Sequence, residues 1–176
     1  MPDAAAILSN IKAHFNHEEF NAKALLVAEG TVASKVFYIE KGLTRVWFAD
    51  EEKEVTFQFL FEGHFISSFE SMLNNAPSWY SIEALEPMVV YSVTTDDFRQ
   101  KMKQFPHVKE FYYHYVQQRL LFYQQLFISR IKDSPEKRYR ALLQQSPEII
   151  RRVPQHYIAS YLGITSVSLS RIRKRK

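Results

Sequence analysis

Gln155-His156-Tyr157-Ile158-Ala159-Ser160-Tyr161-Leu162-Gly163-Ile164-Thr165-Ser166-Val167-Ser168-Leu169-Ser170-Arg171-Ile172-Arg173-Lys174 is the stretch on which the reading of this chain turns. Two helices that cross at close range need a small residue at the crossing, which Ala159 supplies. They also need a turn residue that tolerates positive φ, which Gly163 supplies. Ile158, Leu162, Ile164, Leu169 and Ile172 recur at the spacing of one shared inner face. Thr165 stands where a hydroxyl caps the second helix. That second helix turns Ser166, Val167, Ser170, Arg171 and Lys174 outward, with Arg173 and Arg175 alongside. A basic, hydroxyl-bearing face of this kind suits a DNA major groove, and the stretch is predicted to be a helix-turn-helix.

Within that face Arg171 is the leading candidate for a base contact, because a guanidinium can bond both O6 and N7 of guanine, worth about 1–3 kcal/mol of discrimination. Ser166, Val167 and Ser170 are the other base-facing positions. Arg151, Arg152, Thr165, Arg173, Lys174, Arg175 and Lys176 are expected on phosphate, where they add salt-dependent, sequence-blind affinity. The charge distribution agrees. Residues 134–176 hold 10 Lys and Arg against 2 Asp and Glu, a net +8, whereas residues 1–133 hold 13 against 17, a net −4. A short basic unit behind a larger acidic one points to a polyanion-binding module joined to something with another task.

Upstream, the periodicity changes twice. Residues 4–15 place Ala4, Leu8, Ile11 and Phe15 at helical spacing. From residue 24 to 94, short runs rich in Val, Ile, Phe, Tyr and Thr are punctuated by Gly, Asn and Pro. Residues 25–28, 36–40, 43–49, 54–60, 80–85 and 88–93 are predicted strands of an antiparallel roll, with Gly30, Gly42 and Gly63 at the turns. Thr94-Thr95-Asp96-Asp97 signals a helix start, and that helix should end before Pro106. Residues 107–132 hold neither Gly nor Pro, and about 26 residues at about 1.5 Å each reach about 39 Å. Apolar residues cover more than one stripe of this helix, so one face is expected on the roll and another on a second copy of the chain. Ser134-Pro135-Glu136 starts a further helix, and Ser146-Pro147 ends or restarts it.

The expected fold class is therefore α+β: an antiparallel β-roll over residues 1–106, a long dimerisation helix over 107–133, and a helix-turn-helix unit over 134–176. The chain of 176 residues and 20.8 kDa, 46% hydrophobic, is large enough to bury a core. No stretch approaches the roughly 18–20 apolar residues of a spanning helix, and the N-terminus does not resemble a secretory signal, so a cytoplasmic protein with no membrane association is expected. With no cysteine, disulfides, thiolate metal sites and thiol catalysis are excluded. His14, His17, His64, His107, His114 and His156 are scattered, so no metal is expected. No nucleophile elbow, phosphate loop or acid pair suggests an enzyme, and no catalytic residue is assigned.

Roll, long helix and C-terminal helix-turn-helix, in that order, resemble the bacterial Crp/Fnr transcription regulators, whose sensor is a cyclic-nucleotide-binding domain. The sensor resemblance is carried by Leu26-Val27-Ala28-Glu29-Gly30, by Val36-Phe37-Tyr38-Ile39-Glu40-Lys41-Gly42 with Arg45 following, and by Gly63-His64-Phe65-Ile66. The DNA end, from Val153-Pro154-Gln155 to Arg171-Ile172-Arg173, is the more specific match. What the resemblance implies is a homodimer on double-stranded DNA, a small-molecule effector in the roll, and RNA polymerase as a further partner.

Departures from the family are informative. Where cyclic-nucleotide binders would carry Gly-Glu-Leu and then an Arg-Ser or Arg-Thr pair, this chain has Ser67-Ser68-Phe69 and Pro77-Ser78-Trp79-Tyr80-Ser81. From residue 54 to 98 there is no Lys or Arg, so the cassette offers no cation to a cyclic phosphodiester and cyclic AMP is disfavoured. Gly63, Ser67, Ser68, Glu70, Ser78, Trp79 and Ser81 are the candidate effector-pocket residues. Their alternative role is to satisfy turns and strand edges, Ser67 and Glu70 forming a capping box. Family members often continue into a C-terminal β-hairpin wing, whereas only Arg175 and Lys176 follow the motif here; either the wing is dispensable or the chain is shortened, and residues 171–176 are expected to supply part of its phosphate contact. A rival reading is a ligand-binding or protein-interaction module without sequence-specific DNA binding. It is motivated by Val167, which offers a base only a methyl contact.

Overall fold

The computed structural model describes Ser9 and residues 11–174. Residues 11–14 are helical and close with Phe15 N–H donating to the Ile11 carbonyl; Ala4 and Leu8, the start of the expected N-terminal helix, lie outside the described residues. Eight strands follow: β1 (Asn16–Phe20), β2 (Leu25–Val27), β3 (Lys35–Lys41), β4 (Thr44–Asp50), β5 (Lys53–Leu60), β6 (Phe65–Ile66), β7 (Ser81–Ala84) and β8 (Met88–Thr94). They make two antiparallel four-stranded sheets, in the orders β1-β8-β3-β6 and β2-β7-β4-β5. Alternate residues of both sheets turn inward, so Phe37, Ile39, Val90 and Met88 of one meet Val46, Leu60, Ile82 and Ala84 of the other in a single core.

Six of these strands are those predicted. The two missed, β1 and β6, have clear reasons. β1 reads Asn-His-Glu-Glu-Phe and pairs only with β8, so as an edge strand it keeps the polar composition of a loop. β6 has two residues, too few for any periodicity. Gly42 joins β3 to β4 with φ +102°, and a Cβ there would lie 2.7 Å from Met88 Cγ, so the turn admits glycine alone.

Short helix α1 (Phe69–Asn74) corrects the expected capping box. Its N-cap is Ser68 and makes no side-chain cap bond. Ser68 Oγ donates instead to Glu70 Oε1 at 2.6 Å, and Ser67 Oγ donates to the Lys35 carbonyl at 2.9 Å. Ser67 is thus drawn to the neighbouring strand pairing of β3 and β6, which leaves the capping position to its successor. Helix α2 (Thr95–Gln104) starts as predicted, with Thr94 accepting from Asp97 N–H.

Helix α3 (Pro106–Lys132) spans 27 residues. Its N-terminal half packs on the roll through Phe111 and Tyr115 against Phe65, and on α2 through Tyr112 against Phe98. Tyr115 also donates to the Phe65 carbonyl at 2.9 Å, while burial pushes its phenol up to about 12. The other face carries Tyr113, Val116, Leu120, Tyr123 and Phe127 in three-four spacing, with Ile131 beyond, all exposed in the protomer.

Four short helices complete the chain: α4 (Pro135–Gln145), α5 (Pro147–Arg152), α6 (Gln155–Leu162) and α7 (Ser166–Lys174). Ser134 caps α4 by accepting from Lys137 N–H, with Pro135 in the first turn. These helices share a core of Tyr139, Leu142, Ile149, Val153, Ile158, Ala159, Leu162 and Leu169. Leu43 and Phe59 of the roll enter the same cluster, so the C-terminal helices are docked on the sheet that contains β4 and β5.

Candidate nucleic-acid interface

The helix-turn-helix forms at the predicted residues. Ala159, 1% exposed, sits in the packed crossing of α6 and α7. Gly163 adopts φ +68° and ends α6 in a left-handed cap, with Ile164 N–H reaching back to the Ala159 carbonyl. Space does not require the glycine: an added Cβ would meet nothing closer than Arg130 Nη1 at 3.5 Å, an ordinary contact, so the backbone angle alone selects it. Thr165 Oγ1 accepts from Ser168 N–H at 3.1 Å and caps α7.

From that cap, Leu169 is buried and Ile172 half-buried against α6, while Ser166, Val167, Ser170, Arg171, Arg173 and Lys174 are exposed. Ser166, Val167, Ser170 and Arg171 therefore lie on one solvent-facing strip, and the cations of the last turn extend it. Arg151 on α5 is also exposed. Arg175 and Lys176 lie outside the described residues.

Arg152 is the exception among the residues expected on phosphate, because it is engaged within the chain. Its guanidinium lies between two roll carboxylates, with Nη2 2.7 Å from Glu62 Oε1 and 2.5 Å from Glu86 Oε1. It points at the sensor rather than at the face Arg171 presents.

The candidate effector residues are drawn into the chain's own hydrogen bonding. Gly63 N–H donates to the Ile39 carbonyl, Ser78 Oγ donates to the Tyr80 carbonyl at 2.6 Å, and Ser81 Oγ accepts from Glu29 N–H at 3.0 Å. Trp79 is 72% exposed, its backbone N–H donating to Glu70. Tyr80 packs edge-on against Phe57 inside the roll, and burial followed by the Glu70 charge holds its phenol well above the ordinary value.

Sequence reasoning missed a cation at this end of the roll because it comes from another element. Arg119 of α3 donates to Tyr123 Oη at 3.0 Å, and Tyr123 donates to Gln58 Oε1 of β5 at 2.6 Å. Burial first, and then the Arg119 charge, depress the neighbouring His64. Among the described residues no three His, Asp or Glu form a metal cluster, and no helix is long and apolar enough to cross a membrane.

Comparison with known proteins places this architecture. The cyclic nucleotide-binding domain family matches residues 17–105, just over half of the chain. No curated protein matches the chain by sequence. Among solved structures, FixK2 from Bradyrhizobium japonicum superposes with a TM-score of 0.77 at 14% identity, over 92% of this chain and 83% of that one. A CooA variant from Carboxydothermus hydrogenoformans gives 0.72 at 21%, over 94% and 77%. A protein from Eubacterium rectale, described as a transcriptional regulator of the Crp/Fnr family, gives 0.74 at 16%, over 95% and 80%. With residues 17–105 matched, the chain belongs to the cyclic nucleotide-binding domain family, and its overall fold is that of these solved structures.

Proposed function

We propose that this chain is a homodimeric, sequence-specific DNA-binding transcription regulator of the cytoplasm. In this reading residues 1–106 are the sensor, 107–133 the dimerisation helix and 134–176 the DNA-binding unit. The observation that carries it is the strip Ser166, Val167, Ser170 and Arg171, exposed on a helix whose turn, cap and inner face are those of a helix-turn-helix. Two such strips, related by the two-fold axis of a dimer, enter successive major grooves about 34 Å apart on a pseudo-palindromic site. The apolar face of α3, with Leu120 58% and Phe127 68% exposed, supports the dimer.

Arg171 reads guanine, while Arg151, Thr165, Arg173, Lys174, Arg175 and Lys176 hold phosphate. The protein acts by binding rather than by catalysis, with RNA polymerase as a further partner. Cyclic AMP is disfavoured as the effector of the roll, since residues 54–98 supply no Lys or Arg, the pocket serines bond within the chain, and Arg119 of α3 is already engaged with Tyr123.

Selection of duplexes from a random pool at physiological salt, with and without cyclic AMP, tests this. A palindrome enriched equally in both conditions is expected. Arg171→Ala should then relax one position of each half-site, lowering affinity for the preferred base by about 5- to 150-fold per half-site. Enrichment only with cyclic AMP would refute the effector reading. Val167, 61% exposed, favours the rival interaction module; weak binding that salt suppresses and that is blind to sequence would select it.

A further inference from the structure

We infer that Arg152 is a positioning residue, which locks the DNA-binding unit onto the sensor roll and so sets the orientation of the recognition helix; this rests on the DNA-binding reading above. The starting observation is a polar seam between α6 and the exposed edge of β5. Thr56 N–H donates to Ser160 Oγ at 2.9 Å, and that hydroxyl donates to the Glu54 carbonyl at 3.2 Å. One serine thus does for the edge strand what a neighbouring strand would do, satisfying a donor and an acceptor two residues apart. Beside it Arg45, 2% exposed and paired with Glu83 and Glu54, stacks 3.9 Å from the Tyr157 ring of α6.

Arg152 closes the other end of the seam. Nη1 and Nη2 grip both oxygens of Glu62 at 3.0 and 2.7 Å, Nη2 and Nε reach Glu86 at 2.5 and 3.4 Å, and the guanidinium lies over the Phe61 ring. Those four bonds nearly exhaust the donors of a guanidinium. Glu62 is itself aimed by Gly42 N–H at 2.9 Å, on the turn that admits glycine alone. Two carboxylates against one guanidinium leave the cluster negative, so a phosphate approaching Arg152 meets net repulsion.

Docking leaves the strip on α7 exposed, and is therefore compatible with DNA. Holding each unit in one orientation removes rotational freedom that binding a two-fold site would otherwise have to remove, so the seam should raise affinity for the palindrome and leave sequence-blind binding alone.

The test uses the full chain, the selected palindrome, an unrelated duplex of equal length, and a salt series. Two variants approach the seam from opposite sides: Arg152→Ala, and Glu62→Gln with Glu86→Gln, which frees Arg152. Both should weaken palindrome binding by about tenfold or more, hold the unrelated duplex within about twofold, and keep the salt slope. If Arg152 instead touches phosphate, Arg152→Ala lowers both affinities and reduces the slope by about 0.9 per protomer, whereas the glutamine variant tightens both. Either of those results, or no change in palindrome affinity, overturns the proposal. A second arm needs no DNA: hydrogen exchange at the Thr56 amide should quicken about tenfold in both variants while the Ile39 amide inside the roll stays protected. Unaltered Thr56 exchange overturns the lock. If the wild-type chain selects no duplex, the proposed function fails and the exchange arm alone decides whether Arg152 holds the units together.

Discussion

Truncating Phe127 to alanine should weaken the dimer and spare the protomer. Phe127 lies on the outer face of α3, 68% exposed, in the three-four series with Leu120 and Tyr123. Burying a whole phenylalanine is worth about 1.5–3 kcal/mol, so covering the exposed two-thirds is worth about 1–2 kcal/mol. A two-fold seam holds the residue twice, so the variant should lose about 2–4 kcal/mol of association, a rise of roughly 30- to 900-fold in the dimer dissociation constant. Within the protomer the ring contacts little, and alanine is the best helix former, so monomer stability should move by no more than about 0.5 kcal/mol. Sedimentation equilibrium over a concentration series gives the first quantity, and chemical denaturation at a concentration where both proteins are monomeric gives the second. A dissociation constant that does not move, or a wild-type chain that stays monomeric at high concentration, refutes the assignment of α3 as the dimer seam.

Further outcomes follow from buried groups. Arg45→Leu strands the Glu83 carboxylate, 9% exposed, and should destabilise by about 3–5 kcal/mol, seen as a melting temperature roughly 6–20 °C lower; adding Glu83→Leu should restore most of it. Gly163→Ala meets no clash but must hold φ near +68°, a penalty of about 1–2 kcal/mol, whereas Gly163→Asn should lose less because asparagine visits this region more readily. Glu62, whose carboxyl is held at about 2 against an ordinary 4.5 chiefly by Arg152, contributes stability that is fully present above about pH 4.5 and fades as pH falls toward 2; acid unfolding of Glu62→Gln should therefore converge with wild type at the acid end. Millimolar cyclic AMP should leave the melting temperature unchanged, because a ligand stabilises only what it binds.

Periodicity made the core strands, the long helix and the helix-turn-helix legible, because each buries one face and burial imposes a period on the side chains. Where burial is weak that signal vanishes. Edge strand β1 has one pairing partner and a polar sequence, so nothing in its residues separates it from a loop. The exposed strip on α7 was readable because Ala159, Gly163 and Thr165 fix a helix-turn-helix locally, and the outward positions then follow from counting. The pairing of Arg152 was illegible for the opposite reason. It is one of several bases in a basic segment, and its partners Glu62 and Glu86 stand 90 and 66 residues away in the sequence. Arg119 escaped notice likewise, since a search confined to the sensor cassette cannot see a side chain delivered by α3. Pairings between charges are set by topology, and charge carries no period that would reveal them.

Neighbouring residues of β5 make the point in one strand. Gln58 accepts from Tyr123 of the long helix, while Thr56 and Phe59 meet Ser160 and Tyr161 of α6. The irregularity between Val46 and Trp47 in the β4–β5 register shifts the strand by one residue just there, so neighbouring residues serve different partners. A strand in that position gives α3 and the C-terminal helices a common support. The joint also differs in kind from the cores it connects. Leu43, Phe59, Phe61 and Leu85 give it an apolar centre, and around them stand ion pairs, one bridging hydroxyl and two cations over aromatic rings. Arg45 Nη1 and Thr56 Oγ1 are buried on the roll side of it without a hydrogen-bond partner, and each such atom costs about 1–3 kcal/mol that hydration would return on separation. The two units are therefore held together much less tightly than either is held within itself, and the roll core and the helix-turn-helix core should each survive substitutions that open the seam.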